Sequence, residues 1–148
     1  MDDDDGRFNK KRKSPLRRLD LVLPELSYQI VGSLFEVSNE LGAGHLERVY
    51  QRATAMALQE RGIAFREQVR VPLQFSNTPV GWYQLDFLIE DAVVLELKQG
   101  ERFKAANIKQ VNAYLQSAQK PLAILANFCK EGVLFKRILN ESAQSPHS

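Results

Sequence analysis

The chain has 148 residues, 44% of them hydrophobic and 26% charged, about one soluble globular domain. A single cysteine, Cys129, excludes an internal disulfide and any zinc or iron–sulfur site held by four cysteines, and two histidines are too few for a multi-histidine metal centre. No apolar run approaches the roughly 20 residues that cross a bilayer, and the charged N-terminus does not fit a signal peptide, so a cytoplasmic protein with no membrane contact is expected. Residues 1–20 hold seven of the 20 basic and five of the 18 acidic side chains, which leaves 13 of each in residues 21–148. A body with no net charge attracts nucleic acid only through a local patch.

Residues 1–22 read as a disordered charged tail, in which Asp2 to Asp5 precede Lys10-Lys11-Arg12-Lys13. That basic run suits a solvated terminus, a nucleic-acid arm or, in a eukaryote, a nuclear-import signal. Residues 23–140 form the expected folded domain, and 141–148 a second disordered end. From Pro24 to Leu41, Ile30, Leu34, Val37 and Leu41 recur at helical spacing, and Gly42-Ala43-Gly44 breaks the helix. A second helix is predicted from about His45 to Glu60, with Leu46, Val49, Ala53 and Met56 or Ala57 on its apolar side and Gly62 as its cap. Then the period changes to two. Val69, Val71 and Leu73 alternate, with Pro72 pointing to an edge or a bulge, and a turn follows at Ser76 to Pro79.

Further strands are predicted at Gly81–Ile89 and Ala92–Lys98, then a helix at Phe103–Ala118 striped by Ile108, Val111, Leu115 and Ala118. Pro121 ends it, and strands at Leu122–Phe128 and Val133–Leu139 complete the chain. This order implies an α/β fold with a central mixed sheet flanked by helices.

The chemistry lies on the second and third strands. In Val93-Val94-Leu95-Glu96-Leu97-Lys98, alternation puts Glu96 and Lys98 on one face, and opposite charges on an apolar strand are costly unless paired or given a metal. Asp86 interrupts the preceding strand in the same way. A two-residue loop at Glu90-Asp91 would set Asp86 opposite Leu95. A three-residue loop through Ala92, or one bulge, would set it opposite Glu96, roughly 4.5–5.5 Å away between Cβ atoms. Two carboxylates at that distance call for a cation, and oxygen-only ligands suit Mg2+ or Mn2+.

Asp86 followed by Glu96-Leu97-Lys98 resembles the signature of the PD-(D/E)xK nuclease superfamily, with Leu85 in the place of its proline. Gln110 and Tyr114, four apart on one face of the following helix and flanking its apolar stripe, resemble the Gln-xxx-Tyr motif of the RecB-like branch. Gly44-His45-Leu46-Glu47-Arg48-Val49-Tyr50 resembles the Gly-xx-Glu-xx-Tyr motif that names the GxxExxY family, within a stretch from about Leu26 to Leu139. Ala43 and Ser38 depart from that family's usual Pro and His, outside the motif positions.

The resemblance implies a restriction-endonuclease-like core and a metal-dependent nuclease acting on nucleic acid, DNA before RNA. It implies that Asp86, Glu96 and the Leu97 carbonyl bind Mg2+ or Mn2+, with Glu47 as a further ligand, while Lys98 orients or deprotonates the attacking water. Gln110, Tyr114 and Glu47 complete that catalytic set. Glu47 also fits a plain first-turn position at the positive end of a helix dipole, and Tyr50 fits either core or site. The alternative is a weak or inactive nucleic-acid-binding module working with a partner. On either reading, so small a neutral body needs a homodimer or a second protein to enclose DNA. Arg102, Lys104 and Lys109 offer a phosphate-tracking patch or a solvated helix face.

Overall fold

The computed structural model describes residues 22–140, so both terminal tails lie outside the described residues. Within them the order is α1 (Pro24–Leu41), α2 (Glu47–Glu60), β1 (Phe65–Phe75), β2 (Thr78–Ile89), β3 (Val93–Gln99), α3 (Ala105–Ala118), β4 (Leu122–Cys129) and β5 (Gly132–Leu139). The strands form one mixed sheet in sequence order, in which β3 and β4 are parallel and all other neighbours antiparallel. The α/β architecture expected from the residue pattern is the one the chain adopts. No helix among the described residues is long and apolar enough to cross a membrane.

Each end of α1 has a local cause. Pro24 starts it, where a missing N–H costs nothing, and Gly42, at φ +74°, takes the chain out. Ile30, Leu34 and Val37 are buried as their spacing predicts. Helix α2 follows the prediction in part: of the two alternatives Ala57 is buried and Met56 exposed, Leu46 is also exposed, and the buried side adds Tyr50, Thr54 and Leu58. Thr54 and Ala57 are small, which lets α2 lie close to what it covers, whereas the bulkier Leu46 and Met56 stay in solvent. Strand β4 is buried from end to end, as expected of a central strand covered on both faces.

The sheet separates two cores. Helices α1 and α2 cover one face with Ile30, Leu34, Tyr50 and Leu58 against Phe87, Ile89, Leu95 and Leu97. Helix α3 covers the other with Val111, Tyr114 and Leu115 against Leu85, Leu88, Val94 and Leu125. Side chains of one strand ordinarily alternate between faces. Here Leu85 and Phe87, two apart on β2, belong to opposite cores, as do Phe65 and Val69, four apart on β1. Both strands therefore swap faces at one level, between Gln68 and Asp86. Gln68 is left-handed there, at φ +52°, and drops out of the pairing between Glu67↔Phe87 and Val69↔Leu85. Beyond that level the β1–β2 ribbon (69–85) continues as an outer arm, with Val69, Val71, Tyr83 and Leu85 turned to the α3 side. It ends in a tight turn at Ser76 and Asn77, both at positive φ, as two-residue hairpins require. Pro72 is accommodated because β1 is a sheet edge.

Candidate active site

Pairing between β2 and β3 runs Ile89↔Val93, Leu88↔Val94 and Phe87↔Leu95, and goes no further. The connection is the three-residue one, Glu90-Asp91-Ala92, with Glu90 and Asp91 left-handed and the Ala92 N–H donating to the Ile89 carbonyl. The next positions in register are Asp86 and Glu96. There the strands stop exchanging backbone hydrogen bonds, and the two carboxylates take over. The Asp86 N–H donates to Glu96 Oε2 at 2.9 Å, and the Leu97 N–H donates to Asp86 Oδ2 at 2.8 Å. In a strand, the N–H and C=O of one residue point to the same neighbour. The Leu97 carbonyl thus faces the same opening as its N–H.

Electrostatics follow from burial. Glu96 is only 3% exposed. Loss of hydration, followed by repulsion from Asp86, pushes its carboxyl up to about 9. Asp86 is raised too, chiefly by burial, against the stabilising Leu97 N–H and the charge of Lys98. A pair of carboxyls that both resist ionisation shares protons, or accepts a cation in their place. The donor set of two carboxylates and one carbonyl, all hard oxygens, fits Mg2+ or Mn2+. Half-buried Lys98 lowers both carboxyls electrostatically while forming no direct ion pair among the described residues. Just past it, buried Asn127, the register partner of Lys98, donates from Nδ2 to the Gly100 carbonyl at 2.8 Å and fixes the exit of β3.

Helix α2 approaches from the other side. Gln51 Nε2 donates to Asp86 Oδ1 at 3.2 Å. Glu47 is one turn earlier on the same face, half-buried in the first turn. It makes no three-carboxylate cluster with Asp86 and Glu96, since no group of three or more His, Cys, Asp or Glu side chains assembles among the described residues. Tyr50 is core: its ring stacks on Phe128 at 4.1 Å, and its hydroxyl donates to the Gly42 carbonyl at 2.7 Å. It also accepts from the His45 N–H at 3.3 Å, so one buried phenol holds the Gly42–Gly44 turn that leads into Glu47.

On α3 the two expected residues separate. Tyr114 lies inside the apolar stripe rather than beside it, buried, with its ring 4.9 Å from that of Tyr83. Burial first, then the charges of Glu96 and Asp86, raise its hydroxyl pKa. Gln110 is exposed one turn away, with no hydrogen bond to the carboxylates. Arg102, Lys104 and Lys109 are exposed. Gln51 is the residue that reading the sequence missed. Its signal was its position four residues after Glu47, the spacing that puts both on one helical face.

The solved structures that this chain is similar to include two. That of an alkaline exonuclease from Laribacter hongkongensis superposes with a TM-score of 0.50 at 14% identity, over 85% of this chain and 76% of that one. That of SSO0001 gives 0.49 at 17% identity, over 88% of this chain, which spans 65% of SSO0001's length. No curated protein sequence matches. The sequence profile of the PD-(D/E)XK nuclease superfamily matches residues 24–138, so the chain belongs to that superfamily.

Proposed function

We propose that this nuclease-superfamily protein is a metal-dependent phosphodiesterase acting on DNA, of the GxxExxY type. The observation that supports it best is the pair of reciprocal hydrogen bonds at Asp86 and Glu96. They set two protonatable carboxyls face to face where β2 and β3 part, beside Lys98. Asp86, Glu96 and the Leu97 carbonyl would hold one Mg2+ or Mn2+. When bound, the ion supplies Lewis acidity toward a phosphoryl oxygen and a water of lowered pKa.

The remaining chemistry belongs to the chain. Lys98 carries its ammonium to the mouth of the cleft, where it donates to the attacking water or to a non-bridging phosphate oxygen. Gln51 fixes the orientation of Asp86, as partners of metal-binding carboxylates do. Glu47, held by the Tyr50-anchored turn, accepts hydrogen bonds from water entering along α2. Tyr114 and Tyr83 keep bulk water from the α3 side.

Lys98→Ala tests the assignment. Cleavage of labelled DNA in Mn2+ should fall by about 10²–10⁴-fold, the range for losing a positioned proton-transfer group, with thermal melting unchanged. Calorimetric titration should show Mn2+ binding to wild type and to Lys98→Ala, and none to Asp86→Asn/Glu96→Gln. Undiminished cleavage by Lys98→Ala would sink the mechanism. Metal binding that survives the double substitution would sink the site.

A further inference from the structure

The outer arm of the β1–β2 ribbon, like parts of α1, α2 and β5, leaves large apolar side chains in solvent. Phe75 is 71%, Val80 62% and Trp82 54% exposed. Past Asp86, strand β2 has lost β3 as a partner, so this arm stands beside the cleft rather than under it. Its α3-side residues are Val69, Val71, Tyr83 and Leu85. By alternation Arg70, Trp82 and Gln84 point the other way, the side from which Gln51 reaches Asp86. The Arg70 guanidinium lies 4.6 Å from the centroid of the Trp82 ring. Arg70 is the sole charged residue between Val69 and Leu85, so nothing on this arm repels a polyanion. Trp82 is four residues before Asp86 on one strand, about 13 Å, or roughly four base steps of a stacked strand.

We infer that the Trp82–Arg70 face is a stacking platform for an unpaired nucleobase, next to the cleavage site and on the same strand as Asp86. The ligand is single-stranded nucleic acid, or the frayed end of a duplex. Stacking on an exposed indole needs a base whose face is free, and a paired base inside a duplex does not offer one. Arg70 both orders the indole and places a cation where the adjoining phosphate passes. This inference rests on the nuclease reading for its substrate, though not for its test.

Trp82 is the only tryptophan in the chain, so intrinsic emission reports on this one spot. The experiment uses full-length Asp86→Asn/Glu96→Gln protein, which does not consume the probe. It is titrated with a twelve-nucleotide oligothymidylate, with oligouridylate and with a blunt duplex. Saturable quenching by the single strands and none by the duplex is the expected result. In the same background, followed by anisotropy of labelled oligothymidylate, Trp82→Ala should weaken binding about tenfold and Trp82→Phe by less than threefold. Melting should be unchanged, because the side chain is exposed.

An emission that ignores bound oligonucleotide overturns the platform, as does absence of binding. Equal quenching by the duplex overturns the single-strand assignment. An emission that shifts with protein concentration alone makes the face a contact with a second copy, which overturns it too. Cleavage by wild type is measured separately. Cleavage without a Trp82 response leaves the nuclease and removes the platform, and a Trp82 response without cleavage does the reverse.

Discussion

Strand β2 is two strands in one. Its inner part, Phe87 to Ile89, is fully buried, apolar and paired on both sides. Its outer part, Thr78 to Leu85, is paired with β1 alone and runs from an exposed tip, Thr78 to Val80, through alternating half-buried and exposed residues to buried Leu85. Asp86 is the boundary. A carboxylate inside the inner part would lack room for water or ligand, and one on the outer part would lack a second strand to meet. The candidate site occupies the level where sheet pairing gives way, with side-chain oxygens completing what the backbone leaves open.

Substitutions at either end should separate the two parts. Phe87→Ala, which opens a cavity between the sheet and α1–α2, should cost about 3–5 kcal/mol in denaturant unfolding. The Glu96 carboxyl, which faces that boundary from β3, should make metal-free stability depend on pH with an unusual sign. Between its ordinary 4.5 and about 9, the unfolded chain has released the Glu96 proton while the folded protein keeps it. Stability should therefore fall as pH rises through that window, and Glu96→Gln should flatten the profile. A profile identical in wild type and variant would mean that Glu96 ionises normally.

Smaller effects probe the supports. Gln51→Ala should weaken Mn2+ binding about tenfold by calorimetry, with little change in melting. Tyr50→Phe removes the bond to Gly42 from a packed ring and should cost about 1 kcal/mol. On the outer arm, Val80→Ala should stay within about 0.5 kcal/mol of wild type. A large loss there would show that the arm is part of the core after all.

The sequence made the elements readable wherever a strong local signal ended them. Pro24, Gly42 and Pro121 did so, and both α1 bounds agree with the structure. Its periodicity could not say which side of α2 faces inward, because a stripe through Leu46, Val49, Ala53 and Met56 looks as good as one through Tyr50, Ala57 and Leu58, with Ala57 open to either. Only the shape of the surface beneath favours the second. The same ambiguity placed Tyr114 beside its stripe instead of in it. The pairing of Asp86 with Glu96 hung on whether the loop used two residues or three, and Ala92 carries no mark to decide that. Gln68 gave no warning of its left-handed backbone, since glutamine has no special tolerance for it. The face swap that frees the Trp82 side of the arm was hidden for that reason.

The two backbone amides at Asp86 and Leu97 have a consequence of their own. Each is held by a carboxylate that is also a candidate ligand, so the same oxygens serve two clients in turn. A cation that draws those oxygens away would leave both amide protons freer to trade with solvent, while Leu95 and Phe87 nearby remain locked in the core. Deuterium uptake at residues 86 and 97, followed with and without Mn2+, would then act as a clock inside the protein, running slow when the carboxyls brace the sheet and fast when they are employed elsewhere.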